Sequence, residues 1–563
     1  MRAVTDAAKP LLSRIVPVAT TPVAAGAPPA ATSRSLSMKH LLAESALLLS
    51  IVPGSAAVAQ VPQYEDLMQD VVIAADLWSA QPEILSAAFG FEGIIGVAPF
   101  EFAVRAAGGT WIQMPPGTSQ PPLRSLTSAA PVLAIAPVFG TNAIQTDAMP
   151  IVFSWPVLPS TVQPSDFLVH LSDGTSVSPA GVSIAPCQEF NERNVAVLVG
   201  ELGNRLVSGE AGAIYPVQVD IVDDGSPLML IGPGGALHSA VGLSKASSNP
   251  YELDNGPTLV GAKLTPMSVE GEGAPAQFPA PVNDGVALYG ANAQFRLRVL
   301  TTGGFSPNGV TGVTPDQFSS FFRLQVNDGG TTTTLTQTGV DYVIPEGTIR
   351  IVGLADLGLL QSSYDLTYTE DYDNYIDIIL KGDEAAMREI LAVEIPAAAG
   401  YQRFYNPGGP GNDPTPGVRY TQPGPADIEP VLIAIDDPFT TTFVRPSILV
   451  DQSGPGAPVT VTNENLLPGR EYYNLLSFDL CPGGPGTGLG PFGLCIVTNA
   501  NLTVLLDQLA LPVGADPFHF VATSATQVFG PYSLAPFVAE AICIDVTGGV
   551  LGPASPVALF QVQ

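Results

Sequence analysis

The hydrophobic pattern of the chain changes from a helical to a strand-like period early in the sequence. Between residues 64 and 78, the segment YEDLMQDVVIAADLW places apolar side chains at three- and four-residue intervals, which predicts an amphipathic helix. Beyond residue 130, short alternating runs such as DFLVHL, PVQVDI and FRLQV dominate, and several of them are followed by Asp-Gly turns. Such alternation is typical of half-buried strands joined by hairpins. The pattern therefore predicts a mainly β protein behind a short N-terminal helical segment.

Five short motifs recur in the same order about 150 residues apart. The first pair is APVFGTNA and VALYGANA, and VQPSDF, LSDG, VLVGELG and YPVQVDIVDDG are followed by VTPDQF, VNDG, RIVGLADLG and YDNYIDIILKG. The offsets drift by a few residues, as short loop insertions would produce. We therefore expect a tandem duplication over residues 131–264 and 285–403. The period is too long for a solenoid and suits a complete immunoglobulin-like antiparallel β-sandwich in each copy.

The rest of the chain divides by composition. Residues 60–130 are expected to form a partly helical N-terminal segment. Residues 404–427 are rich in Pro and Gly, which predicts a linker. Residues 428–563 are again β-like and contain three of the four cysteines, so we expect a disulfide-containing C-terminal β domain.

The N-terminus resembles a targeting sequence. Residues 38–59 combine a short basic start, an apolar run and a small-residue AVA site before Gln60, which predicts a secretory signal peptide behind an N-terminal extension. An organelle transit peptide is the alternative, because the extension is rich in Ala and Ser and poor in acidic residues. The apolar run is too short to span a bilayer. We expect a secreted, periplasmic or extracellular protein with no transmembrane span after signal removal.

The charge balance excludes one class of partner. With 51 acidic and 21 basic residues the net charge is −30, which repels nucleic-acid phosphates. An acidic surface suits divalent cations, although solubility alone also accounts for it. An extracellular glycan or a surface protein is the expected partner, and the sequence does not indicate an oligomeric state.

The cysteines fit an oxidising compartment. Cys481 and Cys495 bracket a loop rich in Gly and Pro, and a disulfide between them would hold this loop together. Cys187 and Cys543 could form a second disulfide, but four cysteines allow three connectivities. A structural zinc site is not expected, because the sequence has no CxxC motif.

One acidic segment is a candidate calcium site. Closely spaced carboxylates and amides supply the oxygen ligands that Ca²⁺ prefers. The segment does not match an EF-hand loop, and a solvated acidic loop is the alternative. The repeat alignment pairs Asp377 with Asp220, so Asp377 is expected to be structural. The candidate ligands are Glu370, Asp371, Asp373, Asn374 and Asp377.

Catalytic motifs are weak. The chain contains no G-x-S-x-G motif, and GLGPFG lacks the flanking strand and helix of a dinucleotide site, so neither a nucleotide nor haem is expected. His238, in a Gly-rich loop, and the carboxylates of Glu189 and Glu192 are the candidate catalytic residues. The sequence favours a secreted, acidic binding, adhesion or structural protein that calcium could stabilise. The alternative is a secreted carboxylate-dependent hydrolase of a polysaccharide or ester, with the sandwiches as accessory modules.

Overall fold

The computed structural model describes most of the chain beyond residue 61. The described residues are 62–88, 91–98, 100–106, 111–113, 125–127, 130–204, 206, 209–247, 258–275, 285–303, 313–357, 373–396, 426–549 and 553–563. The predicted signal peptide and most of the Pro/Gly linker lie outside these ranges. The fold is mainly β with many antiparallel sheets, which confirms the predicted class. The immunoglobulin-like detail and the domain boundaries stay predictions.

The elements of the N-terminal half follow in chain order. The segment before residue 140 contains α1 (Pro62–Leu67), β1 (Val71–Asp76), β2 (Ile84–Ala87), β3 (Phe91–Val97), α2 (Glu101–Ala106), β4 (Trp111–Gln113), β5 (Ser125–Thr127), β6 (Ala130–Pro131) and α3 (Val132–Phe139). The first central region contains β7 (Thr146–Phe153), β8 (Phe167–Leu171), β9 (Ser176–Val177), β10 (Gly181–Ser183), β11 (Val195–Gly200), β12 (Pro216–Ile221), β13 (Met229–Ile231), β14 (Leu237–Ser239) and β15 (Ser244–Ala246).

The elements of the second half continue the series. The second central region contains β16 (Leu259–Pro266), α4 (Gly285–Tyr289), β17 (Phe295–Thr301), α5 (Phe318–Phe321), β18 (Arg323–Asp328), β19 (Thr331–Leu335), β20 (Asp341–Ile344), β21 (Gly347–Ala355), β22 (Tyr375–Gly382), α6 (Glu384–Met387) and β23 (Ile390–Ile395). The C-terminal region contains β24 (Asp427–Pro430), β25 (Leu432–Ile433), β26 (Thr440–Val444), β27 (Ser447–Gln452), β28 (Val459–Glu464), β29 (Glu471–Ser477), α7 (Asn499–Leu509), β30 (His519–Val521), β31 (Gln527–Tyr532), β32 (Phe537–Asp545) and β33 (Ala558–Val562).

The first central region is a two-sheet sandwich. One sheet has the order β10-β11-β7-β3-β6, with β2 also on β7, and the other has the order β15-β12-β8-β9. In β8 the side chains of Phe167, Val169 and Leu171 point into the core between the sheets, and the two residues between them are only half-buried. The alternation in the sequence therefore predicted the orientation of this strand.

The second central region is also a sandwich, and its strand order repeats that of the first. Its sheets have the orders β20-β21-β22-β17-β16-β25 and β19-β18-β23-β24, with a separate core between them. The series β10-β11-β7 of the first sandwich thus recurs as β21-β22-β17, and β15-β12-β8-β9 recurs as β24-β23-β18-β19. Each of these pairings is antiparallel.

This topology corrects the end of the motif alignment. Strand β12, with Asp220, pairs with β8 in the smaller sheet of its sandwich. Strand β22, with Asp377, pairs with β17 in the larger sheet of the other. By position, β22 therefore corresponds to β11, and the last two motif pairs were aligned one strand out of place. Asp220 and Asp377 are not equivalent residues.

The predicted helix over residues 64–78 is wrong beyond its first turns. Helix α1 ends at Leu67, and Val71–Asp76 forms strand β1 on the open edge of β26. The β-branched run Val71, Val72 and Ile73 favours a strand, and pairing with β26 supplies partners for its backbone. The N-terminal segment is thereby tied to residues 440–444.

The C-terminal region has its own apolar cores. Two antiparallel sheets, β27-β28-β31 and β30-β29-β32-β33, pack together there, and α7 lies against β29. Strands β24 and β25, at the predicted start of this domain, instead pair with β23 and β16 of the second sandwich. No helix in the described part of the chain is long and apolar enough to cross a membrane.

The disulfide predictions have different outcomes. Cys481 and Cys495 are bonded, which confirms the predicted closure of the Gly/Pro loop. Cys187 and Cys543 do not form the second disulfide. Both are buried thiols, and they lie in two different apolar cores, one at the larger sheet of the first sandwich and one in the C-terminal region.

Candidate functional site

The larger sheets of the two sandwiches are covered on their outer faces as well as on their inner faces. All six residues of β11 are buried, and β22 is buried from Tyr375 to Leu380. An apolar core outside both sandwiches joins Val195, Val197 and Val199 of β11 to Leu300 and Tyr375 of the second sandwich. The two sandwiches are therefore in direct contact through the backs of these sheets.

Beside this apolar contact lies a buried cluster of charged residues, which we call the ionic joint. Its residues come from β16, β17 and β22, from the end of β1, and from loops after β10, β16, β21 and before β22. Its members are Asp76, Glu189, Glu192, Arg193, Lys263, Glu272, Arg296, Arg298, Asp356, Asp373 and Asp377, all buried.

The strand register explains why the cations of the joint lie together. In β17, Leu297 and Val299 point into the sandwich core, so Arg296 and Arg298 point to the outer face. Arg298 is the direct cross-strand partner of Lys263 on one side and of Asp377 on the other. Three neighbouring strands thus place two cations and one carboxylate in a row.

Arg298 is the centre of the joint. Its Nε and Nη2 donate to the two carboxylate oxygens of Asp377 at 2.8 and 3.2 Å, and Nη2 also donates to Asp356 at 3.0 Å. The carboxylates of Glu192 and Asp76 lie 3.4 and 3.7 Å from the guanidinium. Burial alone would lower the pKa of Arg298, but the surrounding carboxylates raise it well above its ordinary value. Arg298 therefore stays charged although it is 1% exposed.

A second ion pair joins the N-terminal segment to the second sandwich. Lys263 Nζ lies 2.6 Å from Asp76 and donates to the carbonyl oxygens of Leu77 and Phe439 at 3.3 and 2.7 Å. Burial opposes the charge of Asp76, but Lys263 and the two arginines hold the pKa of this carboxyl below its ordinary value. The joint therefore links three parts of the chain.

The other end of the joint is rich in carboxylates. Ligand oxygens of Glu189, Glu272 and Asp356 all lie within 4.8 Å of one another. Arg296 Nη1 donates to Glu272 at 2.9 Å. Burial, followed by the charge of neighbouring carboxylates, raises the pKa values of Glu192 and Asp356 well above their ordinary range. This end is therefore short of positive charge.

The structure brings several sequence-predicted residues into this joint. Glu189 and Glu192, the catalytic candidates, lie beside two residues of the predicted calcium segment, because Asp373 acts electrostatically on Glu192 and Asp377 binds the same arginine. Both glutamates are sealed from solvent, at 2% and 0% exposure. Their position therefore favours a role inside the protein.

The predicted calcium segment is partly described. Glu370 and Asp371 lie outside the described residues. Asp373 accepts a hydrogen bond from the backbone of Tyr375 at 2.8 Å, and Asn374 donates to the carbonyl oxygen of Thr301 at 2.9 Å. Both carboxylate oxygens of Asp377 accept from Arg298. A calcium site formed by this whole segment stays a prediction.

His238 lies away from this cluster. It is exposed on the β13–β14 hairpin, and its ring packs against that of Trp155 in a T-shaped arrangement at a centroid distance of 5.0 Å. A catalytic role for His238 is not tested by this geometry and stays a prediction.

Sequence reasoning missed seven members of the joint, and one pattern could have indicated three of them. Cations are scarce in this chain, yet Lys263, Arg296 and Arg298 occur within two strand-like runs whose other residues are mostly apolar. Long side chains of one charge on such strands require opposite charges nearby if both faces are buried. The carboxylates that meet them, Asp76, Glu272 and Asp356, are distant in sequence and carry no spacing motif.

Comparisons with known proteins add little to this geometry. No model of a protein family matches the sequence, and no curated protein matches it. Among solved structures, the chain is similar to a tetra-tandem repeat in the extending region of a large adhesion protein, with 10% identity over 74% of this chain and 71% of that chain, at a TM-score of 0.13. It is also similar to the S-layer protein rSbsC, with 10% identity over 74% of this chain and 52% of that chain, at a TM-score of 0.11. At such TM-scores these likenesses carry no argument.

Proposed function

We propose that the chain is an extracellular structural or adhesive protein in which the ionic joint holds the two central sandwiches in one fixed orientation. The observation that carries this proposal is the burial of Arg298 among four carboxylates contributed by both sandwiches and by the N-terminal segment. A buried charge network of this kind fixes how parts of the protein are arranged relative to one another.

The physical basis is the large penalty for breaking such a network. An apolar contact tolerates sliding, because it has little directionality. A buried arginine that loses its carboxylates leaves uncompensated charges in a region of low dielectric constant. Rotation of one sandwich against the other would separate Arg298 from Glu192, whereas its bonds to Asp377 and Asp356 lie within the second sandwich. The joint therefore favours one relative orientation, which suits a protein that transmits force or spaces other domains.

An extracellular location is supported by the disulfide between Cys481 and Cys495. Disulfides persist in oxidising compartments and are rare in reducing ones. Secretion through the predicted signal peptide is tested by N-terminal sequencing of the mature protein recovered outside the cell. A mature chain that begins at or near Gln60 is expected. A chain that keeps residues 38–59 would contradict this step.

The structural role is tested by small-angle X-ray scattering on the mature chain and on its Arg298→Met variant. We expect the variant to have a larger radius of gyration and a broader distance distribution, while circular dichroism shows unchanged strand content. The control is Arg350→Met, which removes an exposed ion pair with Asp341 from the same sheet. Identical scattering from the wild type and the Arg298 variant would contradict the fixed orientation.

The hydrolase alternative is tested with the same preparations. A panel of polysaccharides and esters should give no turnover that depends on Glu189 or Glu192. Turnover that is lost in Glu189→Gln, with strand content and melting temperature retained, would replace the structural proposal by the hydrolase.

A further inference from the structure

We propose that the carboxylate-rich end of the ionic joint is a calcium site, in which Glu189, Glu272 and Asp356 bind one Ca²⁺ between the two sandwiches. This site differs from the acidic segment at residues 370–377. The inference goes beyond the proposed function, since an ion could bind here whatever the protein does outside the cell.

The spacing of the three carboxylates fits the ion. Their ligand oxygens lie within 4.8 Å of one another. Ca²⁺–oxygen bonds measure about 2.3–2.6 Å, so two oxygens on opposite sides of one calcium ion are about 4.6–5.2 Å apart. A single ion placed between the three residues can therefore reach all of them. The three residues come from the loops after β10, β16 and β21, so such an ion would connect both sandwiches.

A neighbouring amide supplies an oxygen that has no partner. Asn191 is fully buried, and its Nδ2 donates to Glu272 Oε1 at 3.0 Å. Its Oδ1 accepts no hydrogen bond from any described residue. Because Nδ2 is fixed on one of the three carboxylates, this buried amide oxygen lies at the edge of the same cluster. An unsatisfied buried oxygen is costly, and a cation beside it removes that cost.

Glu192 adds a second observation of the same kind. Neither of its carboxylate oxygens accepts a hydrogen bond from a donor group of the described residues, and its closest cation is Arg298 at 3.4 Å. Its carboxylate and that of Asp356 are both buried and repel each other. Such a buried pair of carboxylates is stabilised by a cation placed beside it.

The charge balance of the joint requires compensation. Its members include seven carboxylates and four cations, an excess of three negative charges in a buried volume. One Ca²⁺ reduces this excess to one. Protons on Glu192 and Asp356 are the competing means of compensation, and the experiment separates the two.

The ligand chemistry selects calcium among common cations. The donor atoms are carboxylate and amide oxygens, which are hard ligands and favour Ca²⁺ or Mg²⁺ over Zn²⁺. Mg²⁺ usually keeps several of its waters and needs near-ideal octahedral geometry, whereas Ca²⁺ accepts irregular sets of protein oxygens. A sealed site with donors from three loops therefore fits Ca²⁺ better.

The test uses the mature full-length chain. One sample is purified without chelator, and its metal content is measured by plasma mass spectrometry. A second sample is unfolded in denaturant with EDTA and refolded with Ca²⁺, with Mg²⁺ or with EDTA alone. We expect about one Ca²⁺ per chain, and a melting temperature at least about 5 °C higher with saturating Ca²⁺ than with EDTA. Mg²⁺ should give a clearly smaller gain.

Three variants locate the site. Glu189→Gln should abolish the calcium-dependent gain in melting temperature and lower calcium affinity at least about tenfold. Its control, Glu210→Gln, changes an exposed glutamate of the same sandwich and should behave like the wild type. Asp371→Asn, in the acidic segment, should also keep the full response.

Three results would overturn the proposal. The first is a wild-type chain that contains no bound divalent cation and has equal melting temperatures in Ca²⁺ and EDTA. This result would mean that protons, and not an ion, compensate the excess negative charge of the joint. The second is an unchanged calcium response in Glu189→Gln. The third is a response lost in Asp371→Asn, which would move the ion to the acidic segment. The metal content of the wild type decides the first outcome even if Glu189→Gln fails to fold.

Discussion

Replacing Arg298 with methionine removes the central cation of the ionic joint while keeping most of the side-chain volume. Arg298 is 1% exposed and makes hydrogen bonds to Asp377 and Asp356, with Glu192 and Asp76 close by. Removing one partner of a buried ion pair typically costs about 3–5 kcal/mol, because the other charge stays buried without compensation. Since several carboxylates lose their cation here, we expect the free energy of unfolding to fall by at least about 4 kcal/mol.

Urea unfolding measures this loss. Trp78 reports directly on the joint, since Lys263 Nζ lies 5.8 Å from its ring, and circular dichroism reports on the sheets. The unfolding midpoint of the Arg298 variant should fall by about 1.5–2 M urea. In the control variant, Arg350→Met, the lost ion pair with Asp341 is exposed, and such pairs contribute about 0.2–1 kcal/mol. Equal, small shifts in the two variants would refute the claim that the joint is a desolvated charge network.

Three further predictions concern the pH dependence of stability, the disulfide and one glycine. Burial and neighbouring carboxylates raise the folded-state pKa of Glu192, so its stabilising contribution is complete below its ordinary pKa and is lost as the pH rises through the raised value. In EDTA the melting temperature should therefore fall as the pH rises above the ordinary pKa range of a glutamate, and Glu192→Gln should flatten this slope; equal slopes in the variant and the wild type would contradict this role of Glu192. Reducing the disulfide between Cys481 and Cys495, 14 residues apart, should destabilise the C-terminal transition by about 3 kcal/mol and leave the sandwich transition unchanged, as calorimetry with and without reductant can show. Gly271→Ala would place a Cβ atom 2.1 Å from a backbone carbonyl oxygen of β1, whereas Gly330→Ala, also at positive φ, meets open space. Gly271→Ala should therefore lower the melting temperature much more than Gly330→Ala does. Equal decreases in melting temperature would mean that the strain of a side chain at positive φ accounts for both.

Strand-level features of the fold follow from local patterns. The alternation of Phe167, Val169 and Leu171 predicted which residues of β8 face the core, because one face of that strand packs and the other does not. The same reasoning failed for Val71–Asp76, where a helical spacing coincided with β-branched residues. This segment forms a strand because it pairs with the open edge of β26, more than 360 residues later in the chain. No local sequence pattern contains that information.

The repeat alignment failed at the strands whose residues are all buried, because these strands lack the alternation of apolar and polar residues. Strands β11 and β22 are buried on both faces, so their sequences, VAVLVG and YIDIIL, are nearly continuous apolar runs. Strand β12, PVQVDI, alternates because one of its faces is exposed. Matching strands by burial pattern instead of by the shared Asp would have paired β11 with β22.

The candidate site was predictable only in fragments. Glu189 and Glu192 were selected from the sequence as acids that could face each other, and Asp373 and Asp377 as oxygen ligands. Their meeting point depends on the back-to-back packing of two sheets, which is a tertiary property. The outward-facing residues of a single strand are expected to contact solvent. This expectation is wrong wherever a second layer covers the outer face of the sheet.

The two covered faces have complementary characters, and this limits how the sandwiches can assemble. Strands β7 and β17 hold the same place in their sheets, yet the outward residues Ala148 and Val152 of β7 are apolar, whereas Arg296 and Arg298 of β17 are charged. The interface is therefore heterologous, since each sandwich contributes a different surface. The apolar part supplies most of the favourable free energy, and the ionic part penalises every orientation in which a charge loses its partner. Because these two faces cover each other, a further sandwich could not join the pair by the same interface.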